Sequence, residues 1–311
     1  MAGARKFRFG AQIAAGRSRD EWIEKARKCE DLGYSTLFMP DHFDDQLAPM
    51  PALAVAAAVT SALRVGGLVL DNDYKHAVVL AKELATLDVL SGGRVEAGIG
   101  AGWMVTDYEG SGISYDPPGT RIRRLKEGLR IMKGLWSDEP VAFDGEFYSV
   151  HMSGTPKPVQ KPHPPVLIGG GGKRVLSFAA READIISVNF ALTEGRVGRG
   201  ALETGSAEAT REKIRWIREA AGARFDQIEL GVTVFAGILT DDREGMAARV
   251  APGFGATAEE ALTVPHALIG SVDQCVEELQ RRREEYGFSY VAFSGNSWEA
   301  MAPVVARLAG T

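Results

Sequence analysis

The strongest constraint in this sequence is a rhythm: short apolar segments alternate with helical patterns eight times over 311 residues. The spacing predicts strands over Phe7–Ile13, Tyr34–Met39, Arg64–Leu70, Arg94–Gly100, Val166–Ile168, Asp184–Val188, Ile228–Phe235 and Ser289–Phe293. The first unit shows the logic. Ser18 and Glu21 make a Ser-x-x-Glu capping box. Trp22, Ile23, Ala26, Cys29 and Leu32 follow at helical spacing, and Gly33 closes the helix. Tyr34–Met39 then stops at Pro40, which completes a strand–helix–strand unit of about 33 residues. Further helices are expected over Pro51–Leu63, Ala77–Leu90, a stretch ending at Trp136 marked by Leu125, Leu129 and Met132, a stretch ending at Arg181, Ala207–Ala220, Val272–Tyr286 and Trp298–Leu308. Eight such units define the α/β class and a (β/α)8 TIM barrel. The rival is a doubly wound sheet, which rarely reaches eight evenly spaced units. No linker divides the chain, so residues 1–311 read as one domain. Two segments exceed the unit: a hairpin over Val141–Val150, turning at Asp144-Gly145, and a Gly- and Ala-rich insertion over Arg243–Pro265, read as a lid near the barrel mouth.

Charge and cysteine content narrow the function. The formal net charge is 36 − 41 = −5, without the basic footprint of a nucleic-acid binder, so an anionic ligand needs a local site. Cys29 and Cys275 lie far apart, with no Cys-x-x-Cys, which argues for a reducing compartment and against a disulfide framework or structural zinc. There is no signal-peptide core, and no apolar run reaches the ~18 residues of a membrane span. The expectation is a cytoplasmic protein.

In such a barrel, residues just past the C-terminal end of each strand form the active-site face. Asp41-His42-Phe43 passes that filter after the second strand. His42 is either a structural hydrogen-bonding group or, with its neighbouring carboxylate, a functional one. Asp71 and Asn72 end the third strand and read by default as turn residues. The fourth strand ends Gly98-Ile99-Gly100-Ala101-Gly102-Trp103. This is not a dinucleotide fingerprint, because Trp103 holds the last position. Ala101 and Gly102 let a flat ligand approach the backbone with Trp103 as a wall; otherwise this is a tight strand exit with a core tryptophan. Gly169, Gly170, Gly171 and Gly172 follow the fifth strand and open a helix, with Lys173 and Arg174 next. Free N–H groups, the helix dipole and added positive charge favour a phosphate there. The spacing is not that of a Walker loop. Arg121, Arg123, Arg124 and Lys126 read as a solvated helix face. His76, His163 and His266 have no partners at metal-ligand spacing, and no metal is expected. A phosphate cradle, a glycine-lined platform and an Asp–His pair, without an evident protein nucleophile, suggest a bound phosphorylated cofactor.

Over nearly its whole length the sequence resembles the bacterial luciferase-like monooxygenase superfamily, most of all its actinobacterial branch that uses the deazaflavin coenzyme F420. The resemblance is carried by Phe9-Gly10-Ala11-Gln12, Asp41-His42-Phe43, Leu90-Ser91-Gly92-Gly93-Arg94, Gly98 to Trp103, Asp116-Pro117-Pro118-Gly119, Pro156-Lys157-Pro158 and Ile168 to Gly172. It implies a flavin-like ring at the barrel mouth, resting on a bulge at the end of the third strand, near Leu68-Val69-Leu70, often with a non-prolyl cis peptide. It implies that Asp41 hydrogen-bonds the ring, that His42 lies near the reacting carbon as proton donor or substrate-orienting group, and that Gly169 to Gly172 hold the phosphate. The F420-dependent sugar-6-phosphate dehydrogenases of the family carry Glu after the strand-four glycines. Trp103 stands there in this chain, which argues against glucose-6-phosphate and for a less polar pocket. The expected activity is hydride transfer between F420 and a small organic substrate with a C=C, C=N or C=O group. The alternatives are an FMNH2-dependent two-component monooxygenase and a non-catalytic cofactor-binding subunit. The expected partners are a small molecule and a second copy of the chain in a homodimer, with neither nucleic acid nor membrane.

Overall fold

The alternation closes into a parallel barrel in the computed structural model, which describes residues 5–311 except 155, 193, 197 and 255, and except the side chains of 199, 201, 253 and 254. In chain order the strands are β1 (Arg8–Gln12), β2 (Thr36–Met39), β3 (Arg64–Gly67), β4 (Leu70–Asp71), β5 (Val95–Gly100), β6 (Val141–Asp144), β7 (Ser149–Met152), β8 (Val166–Gly170), β9 (Ile185–Val188), β10 (Glu229–Val234), β11 (Ala236–Leu239), β12 (Ala267–Gly270) and β13 (Phe288–Ser294). The large sheet runs β3-β2-β1-β13-β10-β9-β8-β5-β4, and β3 also pairs with β5, which closes the ring. β3 and β4 share one of the eight barrel positions. They are separated at Leu68–Val69, whose peptide is cis, at the place the resemblance implies.

Physical chemistry sorts the barrel along its axis. At the start of the strands, the fully buried Glu96 carboxylate accepts from Arg64 Nε at 2.9 Å and Tyr290 Oη at 2.9 Å, and it pairs with Arg8. A buried charge is tolerable with partners on every side. Above it, Phe38, Leu167, Ile185, Tyr290 and Ala292 fill the interior, and Leu68 and Val69 pack against them. The larger apolar layer lies between the strands and the helices.

The helices form where the periodicity predicts, with shifted ends, except that the last is split at Met301 into Ser297–Ala300 and Ala302–Leu308. Ser18 Oγ accepts from Glu21 N at 3.2 Å, but the Glu21 carboxylate turns to Arg17 N at 2.8 Å, so only half of the expected capping box forms. The second helix is Pro49–Val59, short of Leu63. The helix carrying Leu125, Leu129, Met132 and Trp136 begins at Pro118, and it buries all four. It also buries Arg121, only 2% exposed, which corrects the solvated-face reading at that position. The hairpin is β6 paired antiparallel with β7. The insertion contains helices Arg243–Val250 and Ala258–Thr263, with a 3-10 turn Ala251–Phe254 after the first and a small core of Ala247, Ala251, Ala261 and Ile269. β11 and β12, which flank it, pair in parallel and were not expected. Cys29 and Cys275 are free and buried. Among the described residues, no helix is long and apolar enough to cross a membrane.

Candidate active site

The loops past the C-terminal ends of the strands surround a cavity of about 910 Å³. Its floor is the β3–β4 junction. Leu68 N donates to Met39 O at 2.8 Å, and Gln12 Nε2 donates to Leu68 O at 2.7 Å. Val69 is lodged between two neighbouring strand ends: a Cβ on Gly100 would collide with Val69 Cγ2, and one on Gly169 would lie 3.2 Å from Val69 Cγ1. A Cβ on Gly98 would collide with the Gly67 carbonyl. These glycines therefore make room first for the chain's own platform, a different reason from the ligand approach that the sequence suggested.

The glycine run after β8 is corrected in the same way. Gly169 and Gly170 belong to the strand, and only Gly171 and Gly172 precede the helix Lys173–Glu182. A Cβ on Gly171 would strike the Phe190 carbonyl, whereas Gly172 has no atom within 4 Å of that position. All four glycines line the cavity, but of them Gly172 offers the open approach. Lys173 does not line the cavity. Its Nζ lies 5.8 Å from the centroid of the Trp216 ring, beside a second hollow. Leu70 is likewise turned away, 2% exposed in the core.

Asp41, His42, Leu68, Val69, Ala101, Gly102 and Trp103 do meet around the cavity. Asp41 Oδ2 accepts the backbone N–H of Asp71 at 3.1 Å. Burial raises the Asp41 carboxyl above its usual range, against that bond. His42 Nδ1 faces Asp107 Oδ2 at 2.7 Å, and Tyr74 Oη donates to the same oxygen at 3.1 Å. The Trp103 and His42 rings meet edge-to-face, with centroids 5.6 Å apart and planes at 89°. Asp71, read from sequence as a turn residue, also lines the cavity. Burial pushes its carboxyl up to about 7, against the Asp73 N–H and the Tyr108 hydroxyl that donate to it.

Asp107 and Tyr74 escaped sequence reasoning, because the helix Val105–Ser111 and the turn after β4 meet only in three dimensions. Arg121 escaped as well. It lines the cavity, its guanidinium lies 4.1 Å from the Tyr115 ring centroid, and among the described residues its Nε and Nη1 are buried without a hydrogen-bond partner. A buried guanidinium with unpaired nitrogens is costly unless a ligand completes it. The apolar floor, the indole wall and this cation fit a flat, anionic ring cofactor.

A closed (β/α)8 barrel with an ionisable cavity at the C-terminal ends of its strands is the architecture of a barrel enzyme. Comparison with known proteins narrows the class: the luciferase-like monooxygenase profile matches residues 4–261, and the chain belongs to that family. An FMNH(2)-dependent dimethylsulfone monooxygenase of Pseudomonas putida is 30% identical over 179 residues, covering 57% of this chain and 45% of its own. An F420-dependent glucose-6-phosphate dehydrogenase of Kineococcus radiotolerans is 29% identical over 231 residues, covering 72% of this chain and 64% of its own. The chain thus spans less than two thirds of the length of these curated relatives. A coenzyme F420 dependent tetrahydromethanopterin reductase from Methanopyrus kandleri superposes with a TM-score of 0.75 over 97% of this chain and 98% of its own, at 18% identity, and shows the fold.

Proposed function

We propose that this chain is an F420-dependent oxidoreductase that moves a hydride between coenzyme F420 and a small organic substrate. The observation that carries the reading is the His42–Asp107 pair, 2.7 Å apart, on a cavity floored by Leu68 and Val69. Coenzyme F420, when bound, supplies a carbon that gives or takes hydride, whereas reduced FMN supplies reactivity towards O2.

The remaining work falls to this chain's own groups. Val69 and Ala101 support the ring, and Gln12 fixes the floor through the Leu68 carbonyl. Asp41, anchored by the Asp71 N–H, hydrogen-bonds the ring's polar edge. Arg121 and Gly172 receive the phosphate. Hydride addition to a C=C, C=N or C=O group also needs one proton. Asp107 engages His42 Nδ1, so His42 exchanges that proton through Nε2. Trp103 walls the pocket and keeps water from the reacting atoms. An indole there, where the sugar-phosphate dehydrogenases have Glu, favours a less polar substrate than a sugar phosphate.

The alignment to the F420-dependent relative covers 72% of this chain against 57% for the FMNH2-dependent one, which supports F420. The second reading, an FMNH2-dependent monooxygenase, is favoured by an identity that is equally high, 30% against 29%. Titration with each cofactor, followed by tryptophan fluorescence in the wild type and in Trp103→Phe, separates the two. The expected result is micromolar F420 binding, weak FMN binding, and a quench that Trp103→Phe reduces. The reverse preference makes the monooxygenase the better reading, with O2 consumption as its assay. Under the proposed reading, His42→Ala lowers turnover at least a hundredfold and shifts F420 affinity less than about threefold. Unchanged turnover removes His42 from the mechanism.

A further inference from the structure

Outside the main cavity, between the helices Pro118–Trp136 and Lys173–Glu182, lies a second hollow of about 500 Å³. Among the described residues, eight line it, and five of them are cationic: Arg123, Lys126, Lys173, Arg174 and Arg181, with no acid among the eight. Arg123 is engaged by Glu146. Among the described residues, the other four have no carboxylate within ion-pair distance. Lys126 and Lys173 rest instead near the Phe178 and Trp216 rings, at 5.6 and 5.8 Å from the centroids. A concave cluster of uncompensated cations is unexpected in a chain of net charge −5. Like charges repel, so such a cluster is stabilised by an anion that enters it.

The hollow adjoins the cavity. Ile122 lines both. Gly119 lines the hollow next to Pro118 of the cavity, and Lys173 follows Gly172 of the cavity. A Cβ on Gly119 would stand 3.0 Å from Arg174 Nη1, so glycine there lets the Arg174 guanidinium lie close to the rim. Just inside that rim is Arg121, 2% exposed, with Nε and Nη1 unpaired. Positive charge therefore runs from the buried Arg121, past the open Gly172, into the outer hollow.

We propose that the hollow seats a second anionic group, a carboxylate or phosphate carried by the same ligand whose ring system fills the cavity. This rests on the cofactor reading above and deepens it. FMN ends at its phosphate, whereas F420 continues beyond its phosphate into a carboxylate-bearing chain. The hollow is thus a determinant of choice between the two.

The test is calorimetric binding of F420 and of FMN, at low and moderate salt, to the wild type and to a variant combining Lys126→Gln, Arg174→Gln and Arg181→Gln. All three side chains are exposed, so the fold should survive, and a thermal melt checks it. Arg215→Gln, an exposed cation lining neither cavity, is the control for general charge. The expected result is an F420 Kd about tenfold or more weaker in the triple variant, with a shallower salt dependence, while the FMN Kd moves less than about threefold. Equal losses for both ligands, or none for F420, overturn the proposal. If the wild type binds no F420, the cofactor reading falls by itself. The hollow is then judged with tripolyphosphate: binding that the triple variant weakens tenfold upholds an anion site, and no binding overturns it.

Discussion

Replacing Asp107 by Asn tests the proton chemistry where it is most specific. The Asp107 side chain is 6% exposed, and its Oδ2 takes two bonds, from His42 Nδ1 at 2.7 Å and from Tyr74 Oη at 3.1 Å. The substitution keeps the shape and removes the charge. A hydrogen bond to a charged group is worth about 1.5–3 kcal/mol, and about 1.4 kcal/mol is tenfold in rate, so kcat should fall roughly 10- to 150-fold. Asp107 acts through His42, so kcat should fall while F420 affinity changes less than about threefold. Tyr74→Phe leaves the carboxylate in place and should cost less than about fivefold. The pair should behave as a unit: His42→Ala with Asp107→Asn should be no slower than His42→Ala alone. Steady-state assays under F420H2 with an accepted substrate, across pH, read all four variants. An additive double variant, or a loss of Asp107→Asn activity entirely explained by weaker cofactor binding, refutes the arrangement.

Two further predictions concern the platform and acid stability. Gly100→Ala drives its Cβ into Val69 Cγ2 and should destabilise by about 1–3 kcal/mol in urea melts; adding Val69→Ala should restore stability but not cofactor affinity, and no destabilisation would mean that Val69 is not lodged there. His266 is buried, donates from Nδ1 to Thr233 O at 2.8 Å, and burial pushes its pKa down to about 3 from 6.5. The unfolded chain then binds the proton more readily, so this contribution is whole above pH 6.5 and is lost as pH falls towards 3. Between pH 6.5 and 4.5 it amounts to at most about 2.7 kcal/mol. The fall in Tm between pH 7 and 4.5 should shrink in His266→Gln, and an unchanged fall refutes the assignment.

The barrel was legible in the sequence because its signal is local. A strand buried on both faces must be apolar throughout, and a helix packed on it must carry a stripe such as Leu125, Leu129, Met132 and Trp136. The Asp41-His42 pair and Trp103 were legible for a related reason, since strand ends in this architecture share one face. What stayed hidden depends on contacts between segments far apart in the chain. His42 finds Asp107 across 65 positions, and nothing in the spacing announces it. Arg121 sits in a basic run that looks solvated, and only the packing of Tyr108 and Tyr115 around it shows that it is buried. β11 and β12 stabilise each other across an insertion, and neither is long enough to stand out alone.

The glycines of the barrel mouth serve the packing of the chain itself. Gly98, Gly100 and Gly169 leave room for Gly67 and Val69, so the β3–β4 junction can cross the barrel mouth as a floor. Gly172 alone in its run opens to space, and it lies between Arg121 inside and Arg174 outside. The two ends of the site then differ in chemistry. Asp41, Asp71 and Asp107 gather beside His42, where burial raises the Asp41 and Asp71 carboxyls towards neutrality. Among the described residues, Lys126, Lys173, Arg174 and Arg181 gather beyond Pro118 without carboxylate partners. Under the proposed reading, the ligand's anionic part meets Arg121 and its ring meets His42, because the reverse orientation would leave the buried Arg121 Nε and Nη1 without an anion.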